Sequence, residues 1–226
     1  MKLIRAASDI GGTFTDLVYY TVDEKSGLAT DIKAVKTHTT PAEFQQGVMD
    51  SFDKAKVNLN EVKFFAHGST VVINALTERK GVKTGLITTQ GFRDILEIAR
   101  GNRPDFFNLQ YQKPEPFIPR YLRHEIQERM DHKGNILTPI DTQNLLPILK
   151  AFKEEGVEAI AVCFLHSYIN PLHEELVATF INKEWPEVAL VASHQISREW
   201  REYERTNTAA LCAYVFNKNA SCTKRT

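Results

Sequence analysis

Close to its amino terminus the chain reads Asp9-Ile10-Gly11-Gly12-Thr13-Phe14-Thr15-Asp16, two carboxylates and two hydroxyls around a pair of adjacent glycines. Residues of these types at this spacing can grip a phosphorylated ligand. Phosphate oxygens need backbone N–H groups that converge on them, and glycine allows close approach or a positive φ because it has no Cβ. Gly11 and Gly12 offer that bare backbone, and Thr13 and Thr15 add hydroxyl donors. Asp9 and Asp16 are suited to a hydrated Mg²⁺, which takes a few carboxylates and completes its shell with water and phosphate oxygens. The plainer alternative is a Gly-Gly hairpin turn. A turn alone does not call for two acids and two threonines, and Asp9, at the end of an apolar strand, would be costly to bury unpaired.

The flanking pattern predicts the elements that must hold this loop. An apolar run ends at Ser8, Leu17-Val18-Tyr19-Tyr20 returns from the turn, and after a polar turn over 22–27 the stretch Ala29–Lys36 alternates as a third antiparallel strand. Thr40 as N-cap, Pro41 at the first helical position and Glu43 completing a capping box predict a helix with the apolar stripe Phe44, Val48, Phe52 and Ala55. Val62–Ala66 is expected as a fourth strand that delivers His67-Gly68-Ser69-Thr70 to its carboxyl end, where ligands sit in open α/β sheets. Ser69 or Thr70 would cap a helix from Val71 to Lys80 and make an anion site at its start, with Gly81 as a left-handed stop. The plainer reading has His67 packing and Ser69 capping and nothing more. Lys83–Thr89 reads as a fifth strand and Gly91–Arg100 as a short helix stopped at Gly101, so the order is βββαβαβα.

The first loop resembles the phosphate loop of the sugar-kinase, actin and chaperone ATPase superfamily, and the element order that of one RNase H-like lobe. The later motifs sharpen this: His67-Gly68-Ser69-Thr70-Val71-Val72-Ile73-Asn74-Ala75-Leu76, Glu78-Arg79-Lys80-Gly81, Gly85-Leu86-Ile87-Thr88-Thr89 and Gly91-Phe92-Arg93-Asp94. With the first loop they resemble the amino-terminal region of the hydantoinase A and 5-oxoprolinase family, which also contains ATP-using subunits of ketone carboxylases. The resemblance covers residues 3–215. It implies an α/β fold, with an RNase H-like phosphate-loop lobe over 1–101 and an additional α/β segment. The implied chemistry is ATP-dependent hydrolysis of a cyclic amide of the hydantoin or 5-oxoproline kind, with phosphoryl transfer activating the amide. Gly11, Gly12, Thr13, Thr15, Gly68, Ser69 and Thr70 would then hold phosphates, Asp9 and Asp16 would hold Mg²⁺, and Asp9, Asp16 and His67 would act in catalysis. A hydantoinase B-like subunit is the implied partner. The ATP-using subunit of a ketone carboxylase, a non-catalytic binding lobe and a sugar or small-acid kinase are the alternatives. The family carries a second glycine-rich loop on a second lobe; this sequence has none, so it is expected to be part of a longer or split enzyme.

The rest of the chain has a different texture. Pro104, Pro114, Pro116 and Pro119 with Phe106, Phe107, Tyr111 and Phe117 predict an extended strap over 102–119. A second α/β segment over 120–197 follows: a strand over Arg120–Met130, a turn at 131–135 and a short strand. Asp141 then caps a helix bent at Pro147 and closed at Gly156, and a nearly continuous apolar run over Val157–Leu165 marks a strand covered on both faces. His166, at the exit of that strand, is a lesser candidate, better read as a tether. Asn170 and Pro171 start a helix to about Trp185, a strand spans Glu187–Ser193, and a helix through Tyr214 opens the 198–226 connection towards a second lobe.

Composition restricts the partners. In 226 residues, 42% hydrophobic, there is material for one substantial core or two small ones. Twenty-eight basic residues balance 28 acidic ones, which argues against nucleic acid or an acidic membrane as partner. No apolar run approaches a membrane span or a signal peptide, so the expected location is cytoplasmic. Cys163, Cys212 and Cys222 are odd in number and widely spaced, which predicts reduced thiols rather than a disulfide framework or zinc site.

Overall fold

The computed structural model describes residues 3–23, 27–41, 43–101 and 105–216. The 22–27 turn therefore lies partly outside the described residues, as do Ala42, Pro104, Cys222 and the polar tail from 217. The chain divides into two units between Lys80 and Gly81.

The first unit carries strands β1 (Leu3–Ile10), β2 (Phe14–Val22) and β3 (Ala29–His38), helix α1 (Phe44–Ala55), strand β4 (Val62–Ser69) and helix α2 (Val71–Thr77). Its sheet runs β3-β2-β1-β4, with β1 antiparallel to β2 and parallel to β4. The two-residue period of a strand sorts the side chains. Ile4, Ala6, Ser8 and Ile10 are buried, whereas Arg5, Ala7 and Asp9 are exposed on the other face. Val48 and Phe52 of α1 join Ala6, Ile10 and Leu17 in the core. Gly47 brings α1 close to the sheet, since a Cβ there would lie 3.0 Å from the Thr15 hydroxyl. The helix begins one turn later than expected: Thr40 is outside it, and its hydroxyl accepts from the Gly47 N–H at 2.9 Å.

The second unit contains β5 (Thr84–Thr89), the single turn α3 (Ile95–Ile98), β6 (Arg123–Ile126), β7 (Arg129–Met130), β8 (Ile136–Thr138), α4 (Leu145–Glu154), β9 (Ala159–Cys163), α5 (Leu172–Glu184), β10 (Ala189–Ala192), α6 (Ser193–Ile196) and α7 (Glu202–Tyr214). Its main sheet is parallel, in the order β10-β9-β5-β6. β5 and β9 are buried along their whole length, as strands covered on both faces must be. Gly85 lets the Phe152 ring of α4 close on β5, because a Cβ there would meet the tip of the ring at 2.5 Å. The fifth strand thus pairs within this second sheet, although the expected first lobe extended to residue 101.

Three further expectations are corrected. Gly81 has no left-handed conformation; Arg79 takes it at φ 53, while Gly81 is bare because Tyr214 packs on it, the nearest ring atom 2.3 Å from where a Cβ would stand. Pro147 lies in the first turn of α4, where no intrahelical N–H is required, so it has no hydrogen bond to break. The expected strand over Arg120–Met130 is a 3₁₀ turn at Arg120–Leu122 followed by the separate strands β6 and β7. Among the described residues no helix is long and apolar enough to cross a membrane, and Cys163 and Cys212 are free thiols.

Candidate phosphate-binding site

The β1–β2 hairpin turns at Gly12-Thr13, closed by the Gly11 N–H donating to the Phe14 carbonyl at 2.9 Å. Gly11 serves by close approach: a Cβ would stand 3.0 Å from the Phe14 carbonyl oxygen. Neither Gly11 nor Gly12 has a positive φ. The turn is braced from beneath. The Thr39 hydroxyl donates to the Gly11 carbonyl at 2.9 Å, and the Thr39 N–H donates to the Thr13 carbonyl at the same distance.

Thr15 belongs to this bracing. It is fully buried on the α1 face, 3.2 Å from the Thr39 hydroxyl, and so cannot offer its own hydroxyl to a phosphate at the surface. Thr13, at the tip, is exposed. Of the two threonines, only Thr13 presents its side chain at the surface of the loop.

Asp9 and Asp16 are directly paired in the β1–β2 register, and on the other side of β1 Asp9 is paired with Gly68. Paired positions share a sheet face, so these three residues lie side by side on the face that α1 leaves bare. Asp9 is exposed, so the cost of burying an unpaired carboxylate does not arise, and among the described residues it has no hydrogen-bond or ion-pair partner. Gly68 leaves room beside it: a Cβ there would lie 3.5 Å from Asp9 Oδ1. Asp16 is met by Lys36 of β3 at 3.3 Å, both side chains about half exposed. Lys36 also lies 5.2 Å from the centre of the Phe14 ring.

The structure does not bring His67 into this group. β4 continues to Ser69, three residues beyond the expected strand, so His67 and Gly68 alternate across the sheet. His67 is paired with Ser8 and its Nδ1 lies 2.8 Å from the Ser8 hydroxyl, on the face opposite Asp9 and Asp16. Ser69 and Thr70 turn their hydroxyls to the Ile10 carbonyl, at 3.3 and 3.4 Å, and the Thr70 N–H donates to the same oxygen at 3.0 Å. Ser69 also accepts from the Val71 N–H at 3.3 Å. These two residues tie the start of α2 to the root of the hairpin. Because α2 has only seven residues, its dipole is a weak source of anion attraction.

Sequence reading missed Asn74 as a site residue. It stands one helical turn after Thr70, and its Nδ2 is 3.5 Å from the position of a Gly12 Cβ. The available signal was the spacing of four from Thr70, which puts both on one side of a helix.

Residues 5–185 match the family described as the hydantoinase/oxoprolinase N-terminal region. The chain is 38% identical to an uncharacterised protein of Methanocaldococcus jannaschii, over 93% of this chain and 31% of that protein. It is 34% identical to the acetophenone carboxylase gamma subunit of Aromatoleum aromaticum, over 92% of this chain and 30% of the subunit. Among solved structures, the ATP-dependent caprolactamase from Pseudomonas jessenii superposes with a TM-score of 0.75 at 29% identity, covering 93% of this chain and 31% of that one. The chain spans less than a third of the length of these relatives. The fold is that of the ATP-dependent enzymes with actin-like, RNase H-like architecture.

Proposed function

We propose, from the premise that this chain belongs to the hydantoinase/oxoprolinase family, that it is the phosphate-gripping part of an ATP-dependent hydrolase of cyclic amides. One observation carries the reading. The partnerless Asp9 carboxylate lies opposite Asp16 and beside the bare Gly68, on the sheet face next to a hairpin braced from its buried side. Such an arrangement fits a hydrated cation with phosphate oxygens. Among the described residues no group of three or more His, Cys, Asp or Glu is arranged to hold a metal ion, so a Mg²⁺ on Asp9 and Asp16 would keep most of its ligands as water and phosphate.

When bound, Mg-ATP would supply the phosphoryl group that makes an amide oxygen a competent leaving group. The residues of this chain act by position and charge, which is most of what phosphoryl-transfer catalysis asks of a protein. The Gly12 and Thr13 N–H groups and the Thr13 hydroxyl would hold phosphate oxygens, with Asn74 as an added donor. Asp9 and Asp16 would hold the metal, and Lys36 would keep Asp16 in place. Thr15, Thr39, Ser69 and Thr70 fix the loop from behind, and His67 braces β4 through Ser8.

The similarity to the acetophenone carboxylase subunit favours a second reading, the ATP-using subunit of a ketone carboxylase. In either case a hydantoinase B-like subunit is the proposed partner, supported by the naming of that relative as one subunit of several. A titration of the ¹⁵N-labelled chain with Mg-ATP tests the site: the Gly11, Gly12 and Thr13 amide signals should move in wild type and stay fixed in Asp9→Asn. Unmoved signals in wild type would sink the assignment. ATP turnover in the presence of the partner subunit, with hydantoin, with 5-oxoproline, and with a ketone plus bicarbonate, separates the two chemistries.

A further inference from the structure

We infer that the second unit holds a separate site for a small, uncharged, planar molecule of the aromatic-carboxamide class. The site is a cleft of about 390 Å³ between the 111–117 strap and helices α3 and α7, and it shares no residue with the hairpin. Its volume is that of a small-molecule pocket, for which roughly 300–1,000 Å³ is usual.

The walls are apolar and anchored. Leu96, Pro114, Pro116 and Phe117 line the cleft, and the Phe117 ring is held edge-on against Tyr214 with centroids 5.0 Å apart. The strap is tethered at two points. The Lys113 ammonium donates to the Glu97 and Ile98 carbonyls at 3.3 and 3.2 Å, and buried Arg123 donates through Nε to the Ile118 carbonyl at 2.8 Å. A cleft held in this way loses little freedom when a ligand enters.

The polar groups select the ligand. Lys113 is committed to the two carbonyls and Glu97 to Arg123 at 3.0 Å, and Glu115 also has a partner within the chain. What remains is neutral: the Asn207 carboxamide and the Tyr111 and Tyr203 hydroxyls line the cleft, and among the described residues their side chains have no hydrogen-bond partner. A carboxamide presents a donor and an acceptor in one plane and is matched by another amide edge. The tyrosines add aromatic faces for a flat ring. Because the charged lining groups are all engaged within the chain, a ligand carboxylate of the same shape would give up its hydration without gaining an uncommitted cation.

Calorimetry with benzamide, benzoate and toluene on this chain, together with NMR of the Asn207 side-chain amide, provides the test. Benzamide should bind and shift the Asn207 signal, with benzoate and toluene each weaker by about tenfold, as expected when a hydrogen bond is lost or a charge is misplaced. Asn207→Leu should weaken benzamide by about tenfold and Tyr203→Phe by a smaller factor, with circular dichroism confirming that each variant is folded. Benzamide binding that both folded variants retain unchanged, equal binding of benzoate, or no binding of benzamide to wild type would each overturn the assignment. None of these results bears on the Mg-ATP titration of Gly11–Thr13, so the two readings fail separately.

Discussion

Asp9 and Asp16 face each other across the β1–β2 ladder as a directly opposed pair of carboxylates. Like charges in that relationship destabilise a sheet, and among the described residues only Asp16 of the two has a cation in reach, Lys36 at 3.3 Å. The sheet therefore tolerates an electrostatic defect next to a glycine turn. A bound divalent cation would remove the defect.

Replacing Asp9 separates stability from function. Without metal, Asp9→Asn should leave the chain as stable as wild type or more stable by about 0.2–1 kcal/mol, the range for one cross-strand pair. Adding Mg²⁺ should raise the unfolding midpoint of wild type and leave that of the variant unchanged, since a ligand stabilises only a state it binds. Urea unfolding with and without Mg²⁺ measures both. A variant that is clearly less stable in metal-free buffer would show that Asp9 is a structural residue.

The glycines beside Asp9 make different predictions. At Gly68 a Cβ would meet Asp9 Oδ1 at 3.5 Å, an ordinary contact, so Gly68→Ala should fold normally while filling the space next to the carboxylate. Its affinity for Mg-ATP should fall by about tenfold, or roughly 1.4 kcal/mol. At Gly11 the new Cβ would stand 3.0 Å from the Phe14 carbonyl, and the hairpin must shift to admit it. Gly11→Ala should therefore lose about 1 kcal/mol of stability as well as the ligand. Equal behaviour of the two variants in unfolding and binding would refute this division.

The strands of the first unit were legible because a period of two in hydrophobicity maps directly on one covered face, as at Ile4, Ala6, Ser8 and Ile10. The same period explains the errors. A strand boundary misplaced from Ser69 to Ala66 hides the fact that His67 and Gly68 point to opposite faces. Thr15 had a suitable hydroxyl, but its register opposite Ile10 sends it inward. The pairing of β5 with β9 was not legible, because a strand buried on both faces carries no side-specific pattern to name its neighbour. Gly81 after a helical run reads as a helix stop, whereas its reason is a tertiary contact with Tyr214, far along the chain.

Arg205 should be the most sensitive side chain of the second unit. It is 1% exposed, donates to the Ser167 and Ser193 hydroxyls and to the Phe164 carbonyl at 2.8 Å, and lies 3.7 Å from the fully buried Glu174. Arg205→Met keeps most of the volume but removes the cation that faces the carboxylate and the donor to Ser167, Ser193 and Phe164. Breaking one partner out of a buried pair costs about 3–5 kcal/mol, a loss measurable by denaturant unfolding. The double variant with Glu174→Gln should recover part of it, and a loss that is simply additive would contradict the coupling.

Glu174 sets the acid limit of this unit. Burial alone would push its carboxyl up, but His194, the Ser193 hydroxyl and the N–H groups of His194 and Phe164 together outweigh burial and hold it below the ordinary glutamate range. Arg205 faces the same carboxylate. A group depressed on folding binds its proton more tightly in the unfolded chain, so its contribution to stability is complete above the unfolded value of about 4.3. That contribution is lost as pH falls through the lower folded value. The difference in unfolding free energy between wild type and Glu174→Gln should hence be constant from neutral pH to about 5 and shrink steadily below about 4. Taking the difference cancels the other carboxylates that both proteins share. Urea unfolding of the pair across this range decides it, and a gap that widens on acidification would mean that the folded carboxyl is raised instead.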